Sequence, residues 1–74
     1  MSNINSILLA AKKYLIKNSI KSANLDSEIL LSSILKKSRE DLIINSNFKI
    51  GKNQIHSFNK FVERRKKGEP IAYI

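Results

Sequence analysis

The sequence contains no cysteine, no tryptophan, one proline (Pro70) and two glycines (Gly51 and Gly68). Without cysteine the chain can form neither a disulfide nor a thiolate metal site, and its single histidine, His56, excludes a zinc site built from several histidines. Because cysteine-free chains fit the cytosol better than disulfide-stapled secreted proteins, we expect a cytoplasmic location. The scarcity of proline and glycine favours uninterrupted helices.

Long hydrophobic runs are also missing. The longest apolar run, residues 7–11, is far shorter than the roughly 20 residues that cross a bilayer. The first residues lack the basic start and apolar stretch of a signal peptide. A chain of 74 residues can build one modest core. We therefore expect residues 1–74 to form a single helical domain, monomeric and without a membrane partner.

Acidic residues are few, six against fourteen lysines and arginines, so the formal net charge is +8. Such a charge favours binding to nucleic acid or to an acidic surface. However, Ile, Asn and Lys make up 31 of the 74 residues, and A/T-rich codons encode all three. Genome composition therefore explains part of the excess equally well, and local clustering is the better guide.

Apolar residues recur at helical spacing and predict an all-α fold, a small bundle of four helices plus a short fifth helix at the C-terminus. The predicted helices cover about 3–18, 24–37, 39–44, the stretch after Gly51, and the turn after Pro70. The second helix has the broadest apolar stripe and should be the most buried. The expected inner faces comprise Ile4, Ile7, Leu8, Ala11, Tyr14 and Leu15; Leu25, Ile29, Leu30, Leu31, Ile34 and Leu35; and Ile55, Phe58, Phe61 and Val62.

Polar residues suited to helix ends stand at the predicted boundaries. Asn24 should cap the second helix, and Ser38 the third. Gln54 holds the reciprocal capping position of the fourth helix, which Gly68 should end.

No motif for catalysis is present, and we predict no catalytic, cofactor-binding or metal-binding residue in this sequence. Asp26 and Glu28 are two positions apart on a helix and do not face each other, which argues against a catalytic pair. Both suit the positive N-terminal end of the second helix. We expect a structural ion pair between Asp26 or Glu28 and one of two arginines of the last helix, Arg64 or Arg65.

Residues 60–68 hold five basic residues and one acid. Two interpretations remain open: a solvated helix end whose cations complement the helix dipole, or a docking surface for an acidic partner or RNA. Phe58 and Phe61 occupy core-facing positions instead of stacking positions, which favours a protein partner over nucleic acid. The candidate partner-binding residues are Arg39, Arg64, Arg65, Lys66 and Lys67.

Two stretches resemble the HemK/PrmC family of release-factor glutamine methyltransferases. Residues 25–31, Leu-Asp-Ser-Glu-Ile-Leu-Leu, resemble a family helix in which Ser27 replaces the usual alanine. Residues 64–74 resemble the family signature of two arginines followed by Gly-Glu-Pro-Ile-Ala-Tyr, and Ser38-Arg39 also matches. The resemblance covers the whole chain, and the second stretch is the more specific.

The resemblance implies a parent enzyme that uses S-adenosylmethionine to methylate a glutamine side chain of class 1 peptide-chain release factors. The family's Asn-Pro-Pro-Tyr motif and cofactor-binding glycines belong to a C-terminal Rossmann-like domain, which this sequence lacks. The chain would then be the release-factor-recognition domain, without a cofactor or catalytic site of its own. Because the sequence ends within the first turn of a helix, we predict that the chain is a segment of a longer protein.

Two other functions are compatible with the sequence. The first is an autonomous basic helical module that binds RNA or DNA through phosphate contacts. The second is a purely structural bundle that has no activity in isolation.

Overall fold

The structure, a computed structural model, describes residues 2–74 and is built of helices. The predicted all-α bundle is confirmed, although the fifth helix is a 3₁₀ turn. The elements are α1 (Ile4–Lys17), α2 (Ala23–Leu35), α3 (Arg39–Ile44), α4 (Lys52–Lys66) and the 3₁₀ turn Ile71–Tyr73. None of the helices within residues 2–74 is long and apolar enough to cross a membrane.

Helix α2 lies at the centre of the bundle, where it contacts α1, α3 and α4. Its central position follows from the broad apolar stripe of its sequence, since each neighbouring helix can remove a different part of that stripe from water. The buried apolar side chains of the core are Ile4, Ala11, Leu15, Ala23, Leu30, Leu31, Leu42, Ile50, Phe58 and Val62.

Side chains satisfy the backbone at three helix starts. The Asn3 side chain accepts the Ser6 N–H at 2.9 Å before α1. Ser38 accepts the Asp41 N–H at 3.1 Å before α3, and Gln54 accepts the Gly51 N–H at 3.2 Å before α4. The predicted caps of α3 and α4 are therefore confirmed, and each satisfies a donor that the helix itself leaves free.

The predicted bounds of α2 were wrong at both ends. Asn24 is not the N-cap, because the Asp26 N–H already bonds to the Ser22 carbonyl at 2.8 Å and the helix begins at Ala23. The helix ends at Leu35 instead of Lys37, because Lys36 adopts the left-handed conformation with a φ of 55°.

We expect the substitution Lys36→Gly to stabilise the protein by about 0.5–1 kcal/mol, because glycine adopts positive φ without the clash of a Cβ atom. Urea unfolding would measure the gain. Lys36→Ala is the matched control, since it removes the same charged side chain but keeps a Cβ atom. Equal stability of the glycine and alanine variants would contradict the expected relief of strain.

The start of α1 is held against the loop between α3 and α4. The N–H groups of Ile4 and Asn5 donate to the carbonyls of Phe48 and Ser46 at 2.9 and 3.0 Å, and the Ile50 N–H donates to the Ser2 carbonyl at 3.0 Å. The first two bonds satisfy free donors of the α1 N-terminus, and together the three bonds fasten the loop after α3 to the start of the chain.

Several apolar residues are more exposed than their spacing predicted. Tyr14 and Leu25 were expected on inner faces, but 38% and 42% of their surfaces are exposed. On α3, Leu42 is buried, whereas Ile43 and Ile44 are 67% and 77% exposed. A six-residue helix has fewer than two turns, so it can present only one narrow side to the core.

Candidate partner-binding surface

Asp26 and Arg65 form an ion pair that joins α2 to α4. The Arg65 Nε lies 2.8 Å from Asp26 Oδ2, and the Ser22 hydroxyl donates to the same oxygen at 2.7 Å. Only 5% of the Asp26 side chain and 20% of the Arg65 side chain are exposed. Because both Ser22 and Arg65 donate to it, the buried carboxylate is paired and hydrogen-bonded, as a buried charge must be.

Glu28 pairs with neither of the arginines expected from the sequence. It binds Arg39 instead, at 2.9 Å from Nη2 and 3.0 Å from Nε. Glu28 lies two residues after Asp26, about half a turn further along α2, and the short connection to α3 brings Arg39 towards it. Nothing in the sequence pattern indicated this pair, because eleven positions and a helix break separate the two residues.

Arg64 and Arg65 also hold the segment that follows α4. Arg64 forms a salt bridge with Glu69, and its Nη2 donates to the Tyr73 carbonyl at 3.1 Å. The Arg65 Nη1 donates to the Glu69 carbonyl at 3.2 Å. The two arginines of the family-like signature therefore bind the Gly-Glu-Pro-Ile-Ala-Tyr part of the same signature.

The backbone of this segment forms a Schellman motif around Gly68. The Gly68 N–H bonds to the Arg65 carbonyl at 3.0 Å, and the Glu69 N–H bonds to the Arg64 carbonyl at 3.2 Å. Gly68 has a φ of 96°, a conformation that residues with a Cβ atom rarely adopt. The predicted helix stop at Gly68 is confirmed.

The candidate partner-binding cations consequently differ in their availability. Arg39, Arg64 and Arg65 are engaged in the ion pairs described above, although Arg64 keeps 45% of its side chain exposed. Within residues 2–74, Lys66 and Lys67 form no salt bridge, and Lys67 is exposed. The exposed His56, on the outer side of α4, agrees with a solvated helix face.

Tyr14 connects α1 to α4 through a hydrogen bond from its hydroxyl to the Glu63 carboxylate. This bond is the main cause of the raised pKa of Tyr14, and partial burial and the negative charge of Glu63 raise it further. Because the two residues are 49 positions apart, no local pattern in the sequence indicates their contact.

A tyrosine whose pKa is raised on folding stabilises the protein below its ordinary pKa of about 10, and that contribution is lost as the pH rises through the folded pKa. In a Tyr73→Phe variant, Tyr14 is the only tyrosine and therefore the only source of tyrosinate absorbance. We expect this absorbance to rise at a higher pH in the folded protein than in the urea-unfolded chain. Adding Glu63→Gln should lower the midpoint. Identical midpoints of the folded and unfolded chains would contradict the hydrogen bond.

Among the described residues 2–74, no group of three or more His, Cys, Asp or Glu side chains could hold a metal ion. The ionisable side chains at the end of α4 are engaged in ion pairs or face solvent. What the end of α4 and the segment after it offer a partner is the positive charge of Lys67 and the exposed side chain of Tyr73.

The chain belongs to the PrmC N-terminal domain family, which it matches over residues 6–74. It is 46% identical over 54 residues to a release factor glutamine methyltransferase of Coxiella burnetii, covering 73% of this chain and 20% of that protein. It is 43% identical over 72 residues to a release factor glutamine methyltransferase of Buchnera aphidicola subsp. Schizaphis graminum, covering 97% and 26%.

A bifunctional methyltransferase of Rickettsia felis is 40% identical over 72 residues, covering 97% of this chain and 14% of that protein. The chain thus spans about a quarter or less of the length of these relatives. No solved structure matches it.

Proposed function

We propose that this chain is the release-factor-recognition domain of a protein-glutamine methyltransferase that acts on class 1 peptide-chain release factors in the cytoplasm. The observation that carries the proposal is the family match over residues 6–74, together with relatives whose names specify a release factor as the substrate. We further propose that the domain is monomeric and acts in translation termination through its parent enzyme.

The residues of the domain support a binding role. S-adenosylmethionine does not fit here, because Gly51 and Gly68 stand at helix ends and no glycine-rich loop follows a strand anywhere in residues 2–74. We therefore assign the cofactor and the catalytic groups to other parts of the parent methyltransferase. This domain would bind and orient the release factor. It would lower the activation barrier of methylation only by positioning the substrate.

A competition assay tests this function. A full-length methyltransferase of the family would methylate a release factor in the presence of a large excess of the 74-residue chain. We expect the excess chain to slow methylation, because it occupies the surface of the release factor that the enzyme's own domain must contact. A short peptide containing the target glutamine is the control substrate, and its methylation should not change. An unchanged rate with the intact release factor would contradict the proposal.

A further inference from the structure

A groove of about 380 Å³ lies between α1, the start of α2, and α3. Its lining combines the buried side chains of Ile4 and Leu42 with the exposed side chains of Leu9 and Ile43. The hydrogen bonds between the start of α1 and the loop after α3 hold two sides of this groove together.

The exposure of Leu9 and Ile43 is not explained by folding. Leu9 is 48% exposed and Ile43 is 67% exposed, so a large part of each side chain still faces water. Isoleucine is also not among the strongest helix formers, so helix propensity gives no reason for it on a six-residue helix. Apolar side chains exposed around a groove commonly mark a protein-binding site.

Lys12 adds one positive charge to the lining of the groove. In the part of the chain that the structure describes, Lys12 forms no salt bridge. Glu28 also lines the groove, but its carboxylate is engaged by Arg39. The groove therefore offers apolar area and one cation that can still pair with a partner.

We propose that this groove binds a segment of the release factor that inserts an apolar side chain and places an acidic side chain beside Lys12. The proposal rests on the proposed function and adds the site and the chemistry of the bound segment. A single cation on an apolar lining suits a protein segment better than nucleic acid, which needs several phosphate contacts. A second copy of this chain is disfavoured because it carries a net charge of +8.

Three pairs of variants, each titrated with a purified class 1 release factor, test the groove. Leu9→Ser, Ile43→Ser and Lys12→Glu change its lining. The matched controls are Ile16→Ser, Ile44→Ser and Lys13→Glu, which lie on the same helices and do not line the groove. Ile16 and Ile44 are 55% and 77% exposed, so the controls remove equally accessible apolar groups.

We expect each groove variant to weaken binding about tenfold or more, as contacts at the centre of an interface do, and each control to change it less than about twofold. Equal effects within the pairs would overturn the groove proposal while leaving the proposed function intact. No binding by the unaltered chain would overturn both. Sedimentation at increasing concentration adds a further outcome: self-association that Leu9→Ser abolishes would assign the groove to a second copy and overturn the proposal.

Helical circular dichroism and thermal melts of all six variants would show that the fold is kept. If Leu9→Ser or Ile43→Ser lowers stability, their effect on binding cannot be separated from unfolding. Lys12→Glu removes no apolar side chain, so its effect on binding to the release factor then tests the groove. Binding by Lys12→Glu that equals binding by Lys13→Glu would then overturn the proposed pairing with an acidic residue.

Discussion

Replacing Asp26 with alanine is expected to lower the free energy of unfolding by about 2–3 kcal/mol. Removing one partner of a fully buried ion pair costs about 3–5 kcal/mol, because the other charge loses its partner without regaining water. The Arg65 side chain is 20% exposed, so solvent partly compensates it and the expected loss is smaller. The Ser22 hydroxyl also loses its acceptor, but Ser22 is exposed and its hydroxyl can bond to water instead, so this loss adds little.

Glu28→Ala is the matched control, since it removes another acid of α2 that is bound to an arginine. Its partner Arg39 is 48% exposed, and exposed pairs contribute about 0–1 kcal/mol. Urea unfolding of both variants, with a double-mutant cycle of Asp26→Ala and Arg65→Ala, would give the coupling energy directly. Equal losses for Asp26→Ala and Glu28→Ala, or a coupling near zero, would show that the buried pair does not hold α2 to α4.

Phe58→Ala is expected to have the largest effect of any single substitution proposed for this protein, about 3–5 kcal/mol, because it removes a buried aromatic side chain and leaves a cavity. Phe58 is 1% exposed and lies on the inner face of α4. A domain of this size has a total stability of about 4–11 kcal/mol. The variant should therefore lose about a quarter or more of that stability, and nearly all of it if the total lies at the lower end of this range.

Phe48→Ala provides the comparison, because Phe48 is 51% exposed and its ring faces the Lys37 ammonium at 5.8 Å. An exposed cation–π contact of this kind contributes about 0.5–1 kcal/mol. Thermal melts followed by circular dichroism would separate the two variants clearly. Similar melting temperatures would mean that Phe58 is not part of the core.

The helices were predictable because their signals are local. Apolar spacing and the caps Ser38 and Gln54 act within a few residues, and α1, α3 and α4 lie close to their predicted positions. The start of α2 was missed because Asn24 is a good N-cap in isolation. In the folded chain the Ser22 carbonyl accepts the first helical bond, and the Ser22 hydroxyl is used by Asp26.

The site was less predictable because its contacts depend on how the helices pack. Acids among leucines on α2 indicated an ion pair with the end of α4, and the structure brings Asp26 and Arg65 together. The sequence could not show that Glu28 binds Arg39, or that Tyr14 binds Glu63. Ser27 stands where the family helix usually has alanine. Its hydroxyl can be buried there because it donates a hydrogen bond to the Ala23 carbonyl at 2.7 Å within the same helix.

The groove was missed for a related reason. Periodicity assigns an apolar residue to an inner face, but the length of α3 and the positions of its neighbours decide whether that face is covered. Ile43 was counted as part of a short apolar helix, and only the packed structure shows it beside Leu9 in the lining of one groove.

The arginines of the family-like signature have structural contacts, and Arg65 makes the ion pair with Asp26 that was expected for one of them. Arg64 and Arg65 were candidates for contacting a partner, yet both bind Glu69 and the backbone after α4. Arg64 therefore helps to hold residues 68–74 in place, and Arg65 holds both α2 and Glu69. We expect the exposed Lys67, which forms no salt bridge within residues 2–74, to contribute more than Arg65 to any electrostatic attraction of a partner at the end of α4.

Equilibrium titration would distinguish recognition of a release factor by this domain from binding to a nucleic acid. The chain would be titrated with a class 1 release factor and, separately, with RNA, each at two salt concentrations. We expect saturable binding to the release factor that persists at the higher salt, because apolar contacts in the groove contribute to it. Binding to RNA that falls steeply with salt, with no binding to the release factor, would contradict it.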